Sequence, residues 1–144
     1  MKKILLFTFI LFWAFSQNIF AENIGTYEVD IEIQKNAVVK ITENINYDFG
    51  VEKKHGIFRY IPLYFKVANQ GPENKKRKIT ISNIEVYRDG KKENITEKIK
   101  EDSNGNFYLK IGKKNFTMSG KHKYTIKYAV GGSLRYFKDF DEVY

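Results

Sequence analysis

The chain has 144 residues, no cysteine and a formal net charge of +8. A chain of this length can bury an apolar core as one domain. Without cysteine it cannot be a disulfide-stapled scaffold or a thiol-dependent enzyme. Its positive charge favours anionic partners.

The start of the chain has the layout of a secretory signal peptide. Two lysines precede Ile4–Phe15, an apolar run of 12 residues, and Ala21 supplies a small residue for cleavage. A bilayer span needs about 20 apolar residues. We therefore expect a signal peptide over residues 1–21 and an exported domain over residues 22–144. An uncleaved signal anchor is the alternative.

Most of the remaining chain alternates apolar and polar residues with period two, which predicts half-buried strands. Thr26–Gln34 shows this pattern, and Ala37–Phe49 continues it after a turn. Glu43 is the acid on the apolar side of the second segment. A charged loop then leads into Ile57–Phe65, where Pro62 suits a strand edge or a strand end because it lacks an N–H.

The second half of the chain continues the strand pattern. In Ile79–Gly90 the apolar side shifts near Ser82-Asn83, which predicts a bulge, and Asp89-Gly90 is a hairpin signal. The weakest segment, Ile95–Ile99, predicts one short strand or a helical turn. Further strands are predicted at Phe107–Gly112 and Lys121–Val130.

Seven or eight short strands with no sustained helical period predict an all-β fold. We expect an antiparallel β-sandwich of broadly immunoglobulin-like architecture over residues 22–144. An antibody-type domain is excluded, because the chain has no cysteine pair and its one tryptophan, Trp13, lies in the predicted signal peptide.

The sequence offers few candidates for catalysis. It has no G-x-S-x-G elbow, and its two histidines, His55 and His122, are too few for a zinc site. A pair of glycosidase-type carboxylates stays open, because distance in space cannot be read from the sequence. The acidic end, with Asp139, Asp141 and Glu142, could bind a cation, but a solvated chain end is the favoured interpretation. We therefore expect a non-enzymatic protein with no cofactor and no metal.

The densest positive run consists of Lys75, Lys76, Arg77 and Lys78. Behind a signal peptide, anionic lipid headgroups or cell-wall polymers are better partners for this run than nucleic acid. The alternative is a solvated loop that binds nothing.

Arg59 is a cation inside an apolar segment whose two faces are both expected to be buried. A buried guanidinium needs a partner, because an isolated charge is costly to desolvate. Glu43 is the candidate, since it lies between Ile41 and Ile45 on the apolar face of its strand. We predict a hydrogen-bonded ion pair that fixes strand register. The alternative is that Arg59 clamps an anionic ligand in a groove.

Three phrases occur in order along the chain: TYEVDIEIQKNAVVKITENINYDF, HGIFRYIP and HKYTIKYAVGGSLRYFKDFDEVY. Together they resemble the N-terminal domain of the bacterial predicted membrane-protein family called domain of unknown function 2207 (DUF2207). The resemblance covers Ile24 to Tyr144. The positions of the family's motifs are occupied by Glu43, Gly56, Arg59, Ile61 and Pro62. Tyr60 departs from the motif, where an acidic residue is usual.

The resemblance implies an extracytoplasmic β-domain followed by transmembrane helices, whereas this chain ends at Tyr144. We therefore expect a fragment, a truncated product or a soluble stand-alone copy. The resemblance implies no reaction, so the expected function is binding or sensing at the outer side of the cytoplasmic membrane. The alternatives are a cell-wall polymer hydrolase with unplaced carboxylates and a structural or adhesive module.

Overall fold

A computed structural model describes residues 21–66 and 76–143 of the chain. The predicted signal peptide lies outside these residues except for Ala21, and Lys75 of the basic run also lies outside them. The described part contains twelve strands in antiparallel sheets and no helix. The predicted all-β class is therefore confirmed.

The strands are β1 (Asn23–Ile33), β2 (Val39–Asp48), β3 (Gly56–Pro62), β4 (Tyr64–Lys66), β5 (Lys76–Lys78), β6 (Thr80–Arg88), β7 (Lys91–Lys92), β8 (Ile95–Ile99), β9 (Asn106–Gly112), β10 (Lys121–Gly131), β11 (Leu134–Tyr136) and β12 (Asp141–Val143). Five of them have only two or three residues. The seven longer strands correspond to the seven or eight that the alternation predicts.

The longer strands form two antiparallel sheets. The larger sheet has the order β1-β2-β10-β6-β7, and the smaller has the order β3-β9-β8. Two short pairs, β4-β5 and β11-β12, complete the described part. The central strand β10 pairs with β2 from Lys121 opposite Asp48 to Val130 opposite Val39.

Alternate residues of both sheets bury one hydrophobic cluster. Its most buried members include Val39, Ile45 and Phe49 of the β2 region, Tyr124 and Ile126 of β10, Ile57 and Ile61 of β3, and Phe107, Leu109 and Ile111 of β9. Each large side chain of this kind stabilises the fold by about 1.5–3 kcal/mol. Two sheets that share one core are consistent with the predicted sandwich. The immunoglobulin-like connectivity stays a prediction.

The edge strand β1 differs from the half-buried strand that its alternation predicts. Val29 pairs with the buried Glu43, so its side chain lies on the core side of the larger sheet. Its apolar residues are nevertheless 42–59% exposed, namely Tyr27, Val29, Ile31 and Ile33. A three-stranded sheet cannot cover a five-stranded one, so this edge strand keeps its apolar side in contact with solvent.

The turn signals are confirmed by the backbone. Asp89 and Gly90 have φ angles of 50° and 76° and close the hairpin from β6 to β7, as a two-residue turn with positive φ requires. The register of β6 against β10 shifts at Asn83, whose φ is 52°, so the predicted bulge is present. Ile95–Ile99 is strand β8 and not a helical turn.

Candidate functional site

Two loops meet at one end of the smaller sheet and border a cleft of about 510 Å³. Residues 49–55 join β2 to β3, and residues 113–120 join β9 to β10. Lys54 and Met118 exchange backbone hydrogen bonds of 2.9 and 2.8 Å between these loops. The main chain therefore fixes the walls of the cleft.

Gly56 and Gly112 line the cleft where the two loops join the sheet, and they lie opposite each other in the β3–β9 register. A Cβ on Gly56 would lie 1.8 Å from the carbonyl oxygen of Ile111, and one on Gly112 would lie 2.0 Å from that of His55. Their φ angles are +148° and +138°. Both positions therefore require glycine, which gives the motif position Gly56 a structural reason.

The side chains that line the cleft are strongly basic. They include Lys53, Lys54, His55, Lys110, Lys113 and Lys114, with no acidic residue among the lining positions in the described ranges. Lys54 forms ion pairs with Glu52 at 2.6 Å and with Glu22 at 3.7 Å. The other four lysines make no salt bridge to any described carboxylate. Lys113 interacts electrostatically with the buried carboxylate of Glu93, but the lining as a whole keeps an excess of positive charge, which attracts anions.

Other polar groups near the cleft are already paired with the main chain. Thr96 Oγ1 donates to the carbonyl oxygen of Gly112 at 2.6 Å. His55 Nδ1 lies 3.0 Å from the carbonyl oxygen of Phe116, so this ring nitrogen is the one that donates. The lysine ammonium groups are thus the donors that a ligand would meet.

Sequence analysis missed this cleft, because its lysines come from loops far apart in the chain. His55 and Phe116, which hydrogen-bond across it, are 61 positions apart. The available signal was a pair of lysines beside a glycine in each loop: Lys53-Lys54 before Gly56, and Lys113-Lys114 after Gly112. That signal becomes meaningful only once β3 is known to pair with β9.

The predicted polyanion site lies elsewhere on the molecule. Lys76, Arg77 and Lys78 form the exposed strand β5, which pairs with β4. Lys78 binds the carboxylate of Glu101, and its ammonium lies 5.4 Å from the ring centroid of Tyr64. One charge of the run is therefore compensated. The cleft lies at the start of β3, whereas the β4–β5 pair follows its end.

The structure brings Glu43 and Arg59 together between the two sheets. Arg59 Nε donates to Glu43 Oε2 at 2.7 Å, and Nη2 donates to Oε1 at 2.8 Å. The hydroxyl of Tyr128 also donates to Oε1, at 2.6 Å. Glu43 is 1% exposed and the Arg59 side chain is 26% exposed. The geometry is the bidentate one in which guanidinium and carboxylate bind most strongly.

The surroundings of Glu43 favour its charged form. Burial alone would raise its pKa, but the hydrogen bonds from Arg59 and Tyr128 outweigh burial and lower the pKa below its usual value. Burial and the hydrogen bond to Glu43 raise the pKa of Tyr128. The hydrogen bond to Glu43 also raises the pKa of Arg59. Glu43 and Arg59 are therefore both charged at neutral pH.

Arg59 also donates hydrogen bonds to groups other than Glu43. Nη1 donates to the carbonyl oxygen of Tyr60, and Nη2 donates to the hydroxyl of Tyr27 at 3.0 Å. These contacts are those of a structural arginine and do not favour the alternative in which Arg59 clamps a ligand.

The expectation that both faces of β3 are buried is wrong. Ile57 and Ile61 are buried on the core side, but Phe58 and Tyr60 are 58% and 50% exposed on the other side. An apolar composition on both faces does not distinguish a strand covered on two sides from one that displays aromatic rings to solvent.

Glu93 is the second buried carboxylate of the described part. Arg88 Nε donates to it at 2.5 Å, and the backbone N–H of Asn94 donates to it at 2.8 Å. Burial raises its pKa, but these two hydrogen bonds outweigh burial and hold the pKa below its usual value. Like Glu43, it is ionised at neutral pH.

Both histidines and Glu142 of the acidic end have structural partners. His122 Nδ1 lies 2.7 Å from Asp89 Oδ2 at the rim of the larger sheet. Glu142 of the acidic end lies 4.0 Å from Arg135. Within residues 21–66 and 76–143, no three or more histidine and acidic side chains are arranged to hold a metal ion.

In the same described ranges, no helix has the length and the apolar character that crossing a bilayer requires. The fold and the site define an all-β domain with a lysine-lined cleft at one end. The chain belongs to the family described as predicted membrane protein (DUF2207) N-terminal domain, whose model matches residues 23–144. The resemblance seen in the sequence is thereby confirmed. No curated protein and no solved structure matches the chain.

Proposed function

We propose that this domain is a non-enzymatic binding module that holds anionic groups at the outer side of the cytoplasmic membrane. The lysine-lined cleft is the observation that carries the proposal. Lys53, Lys110, Lys113 and Lys114 line it and form no salt bridge with a carboxylate of the described residues. Lysine ammonium groups bind phosphate, sulfate or carboxylate as point charges.

The expected location rests on two features. The signal-peptide pattern at the start of the chain favours export, and the family is that of a predicted membrane protein. Anionic lipid headgroups and cell-wall polymers both occur at such a location and share the chemistry that the cleft recognises.

The state of the buried carboxylates supports a binding module over a cell-wall polymer hydrolase. A glycosidase needs a protonated general acid, whose pKa is raised. The pKa values of Glu43 and Glu93 are instead lowered, because hydrogen bonds from Arg59 and Tyr128, and from Asn94 and Arg88, outweigh burial. Both carboxylates thus serve the fold.

A structural or adhesive module is the second candidate, and the exposed apolar side of β1 favours it. A sheet edge of this kind can accept a further strand. The other side of β1 carries the exposed acids Glu28, Asp30 and Glu32. An antiparallel second copy would bring these acids close to each other, which is destabilising. For this reason we rank self-association below anion binding.

Calorimetric titration of the purified chain with inorganic polyphosphate tests the proposal. The triple variant Lys53→Gln/Lys113→Gln/Lys114→Gln should bind at least about tenfold more weakly than the wild type at low salt, given about 1 kcal/mol per lysine. The matched variant Lys35→Gln/Lys40→Gln/Lys138→Gln removes the same charge from exposed positions outside the cleft.

The control variant should retain most of the affinity, and added salt should weaken binding in every case. Equal losses in the two triple variants would mean that only net charge matters. That result would contradict a binding cleft.

A further inference from the structure

The outer face of the smaller sheet carries a row of aromatic rings that begins at the cleft. Phe58 and Tyr60 project from β3, and Tyr108 of β9 lies beside both. The ring centroid of Tyr108 is 6.1 Å from that of Phe58 and 4.9 Å from that of Tyr60. Because side chains alternate along an extended chain, Tyr64 continues the row, and it is 38% exposed.

The row links the two basic regions of the molecule. Lys110, which lines the cleft, has its ammonium 5.9 Å from the ring centroid of Phe58. At the other end, Lys78 of β5 lies over the ring of Tyr64. From Gly56 to Tyr64 an extended chain spans about 26 Å at the usual rise of a strand. The face is therefore a line of rings with cations at both ends.

The positive charge is not equal at the two ends. Glu101 binds both Lys78 and the hydroxyl of Tyr64, so the β5 end is partly compensated. Glu97 lies opposite Lys110 in the β8–β9 register and forms no salt bridge with it. Burial and the charge of Glu97 raise the pKa of Tyr108 in the aromatic row. The cleft end keeps an excess of lysines that form no salt bridge, and anionic groups of a ligand would concentrate there.

We propose that this face binds an extended anionic polysaccharide, a proposal that rests on the proposed function and extends it. The polysaccharide's acidic groups lie among the lysines of the cleft, and its sugar rings pack against Phe58, Tyr60 and Tyr108. The flat C–H face of a sugar ring is apolar and slightly positive, so it suits the negative face of an aromatic ring. Neighbouring tyrosine hydroxyls can hydrogen-bond to sugar hydroxyls.

A linear polymer fits the geometry better than a membrane surface. The rings from Phe58 to Tyr64 follow about 20 Å of extended chain. Binding to a bilayer scales with buried apolar area, and Tyr60, Tyr64 and Tyr108 would each have to bury a polar hydroxyl there. A polyanion without rings would use only the lysines. Single-stranded nucleic acid can also stack on aromatic rings beside lysines, and it is included among the test ligands.

The test compares polygalacturonate oligomers, which have rings and charges, with inorganic polyphosphate, which has charges alone, and with neutral dextran. The variant Tyr60→Ser/Tyr108→Ser removes two rings that do not line the cleft, whereas Tyr60→Phe/Tyr108→Phe keeps both rings. We expect the first variant to bind polygalacturonate about tenfold more weakly, since each ring contact contributes a few-fold, and to bind polyphosphate unchanged. The second keeps the rings and loses only hydroxyls, so it should retain most of the affinity for both ligands, and dextran should bind weakly to all.

Different results would contradict the polysaccharide proposal and the proposed function. Unchanged polygalacturonate binding in the Tyr60→Ser/Tyr108→Ser variant, or an equal loss for both ligands, would overturn the polysaccharide proposal. Tighter, ring-dependent binding of oligo(dT) or of phosphatidylglycerol vesicles would also overturn it. The proposed function fails separately, if the cleft triple variant binds polyphosphate as well as the wild type does. Tyr60→Ser alone, checked by circular dichroism, replaces the double variant if that variant does not fold.

Discussion

Removing Arg59 should destabilise the domain more than removing Glu43, although the two residues form one ion pair. Arg59→Ala leaves a carboxylate that is 1% exposed and has hydrogen bonds only from the hydroxyls of Tyr128 and Tyr27, with no cation beside it. Stranding a buried charge in this way costs about 3–5 kcal/mol. Glu43→Ala leaves a guanidinium that is 26% exposed and keeps its contacts with Tyr27 and Tyr60. We expect a cost of about 2–3 kcal/mol for that variant.

The two changes should be strongly non-additive. Once one partner is gone, removal of the other relieves an unpaired charge, so the double variant should cost less than the sum of the two single variants by about 1–3 kcal/mol. Glu32→Ala is the control, because this acid is exposed on β1 and should change stability by no more than about 0.5 kcal/mol.

Urea denaturation followed by circular dichroism measures these differences, and thermal melting should show a loss of about 10–20 °C for Arg59→Ala. The effect should also depend on pH. In the wild type the folded pKa of Glu43 is lowered, so its contribution is present above the ordinary value of 4.5 and is lost as pH falls through the folded pKa. In Arg59→Ala the buried carboxyl can take up a proton, so the deficit should be smaller at pH 4 than at pH 7.

Small additive effects, within about 1 kcal/mol for both single variants, would refute this reasoning. So would a deficit of Arg59→Ala that grows as the pH falls. Either result would reopen Arg59 as a ligand-binding residue.

Three further predictions concern the cleft, the edge strand and export. Gly112→Ala should lower the free energy of unfolding by more than about 2 kcal/mol in urea denaturation, because the new Cβ would meet the carbonyl oxygen of His55. Gly120 has a φ of +75° but open space around it, so Gly120→Ala should cost only about 1 kcal/mol. Ile126→Ala in the core should lower the free energy of unfolding by about 2–5 kcal/mol. Ile31 is 59% exposed, so Ile31→Ala should lower it by less than about 1 kcal/mol. Similar losses for the two variants would show that β1 is covered. Mass spectrometry of the exported protein should find Glu22 as the first residue, and an intact Met1 would instead support a signal anchor.

The sequence was informative where a local pattern decides the structure. Alternation with period two located six of the seven longer strands and left β8 open as a short strand or a helical turn. It also placed Glu43 on the apolar side of β2 as an acid in need of a partner. The same alternation put Arg59 on the core side of β3, which is the side from which it reaches Glu43. Positive φ angles at Asp89 and Gly90 follow directly from the turn preference of those residues.

The sequence was uninformative where pairing between distant segments decides the structure. The cleft exists because Gly56 and Gly112 lie opposite each other, and one sequence does not reveal that register. Burial was also hidden: Phe58 is as apolar as Ile57, yet one is exposed and the other buried. The exposure of β1 depends on how far the smaller sheet extends over the larger one, and this packing of two sheets cannot be read from one sequence.

The claim that anions bind at the cleft is tested most directly by nuclear magnetic resonance of the ¹⁵N-labelled chain during titration with inorganic polyphosphate. The account predicts that the largest shifts of the backbone amide signals occur at residues 53–56 and 110–114, on the two loops and the strand that line the cleft. They should diminish when Lys53, Lys113 and Lys114 are replaced by glutamine. Shifts confined to Lys76–Lys78, or no saturable shifts at the cleft while polyphosphate binds elsewhere, would contradict it.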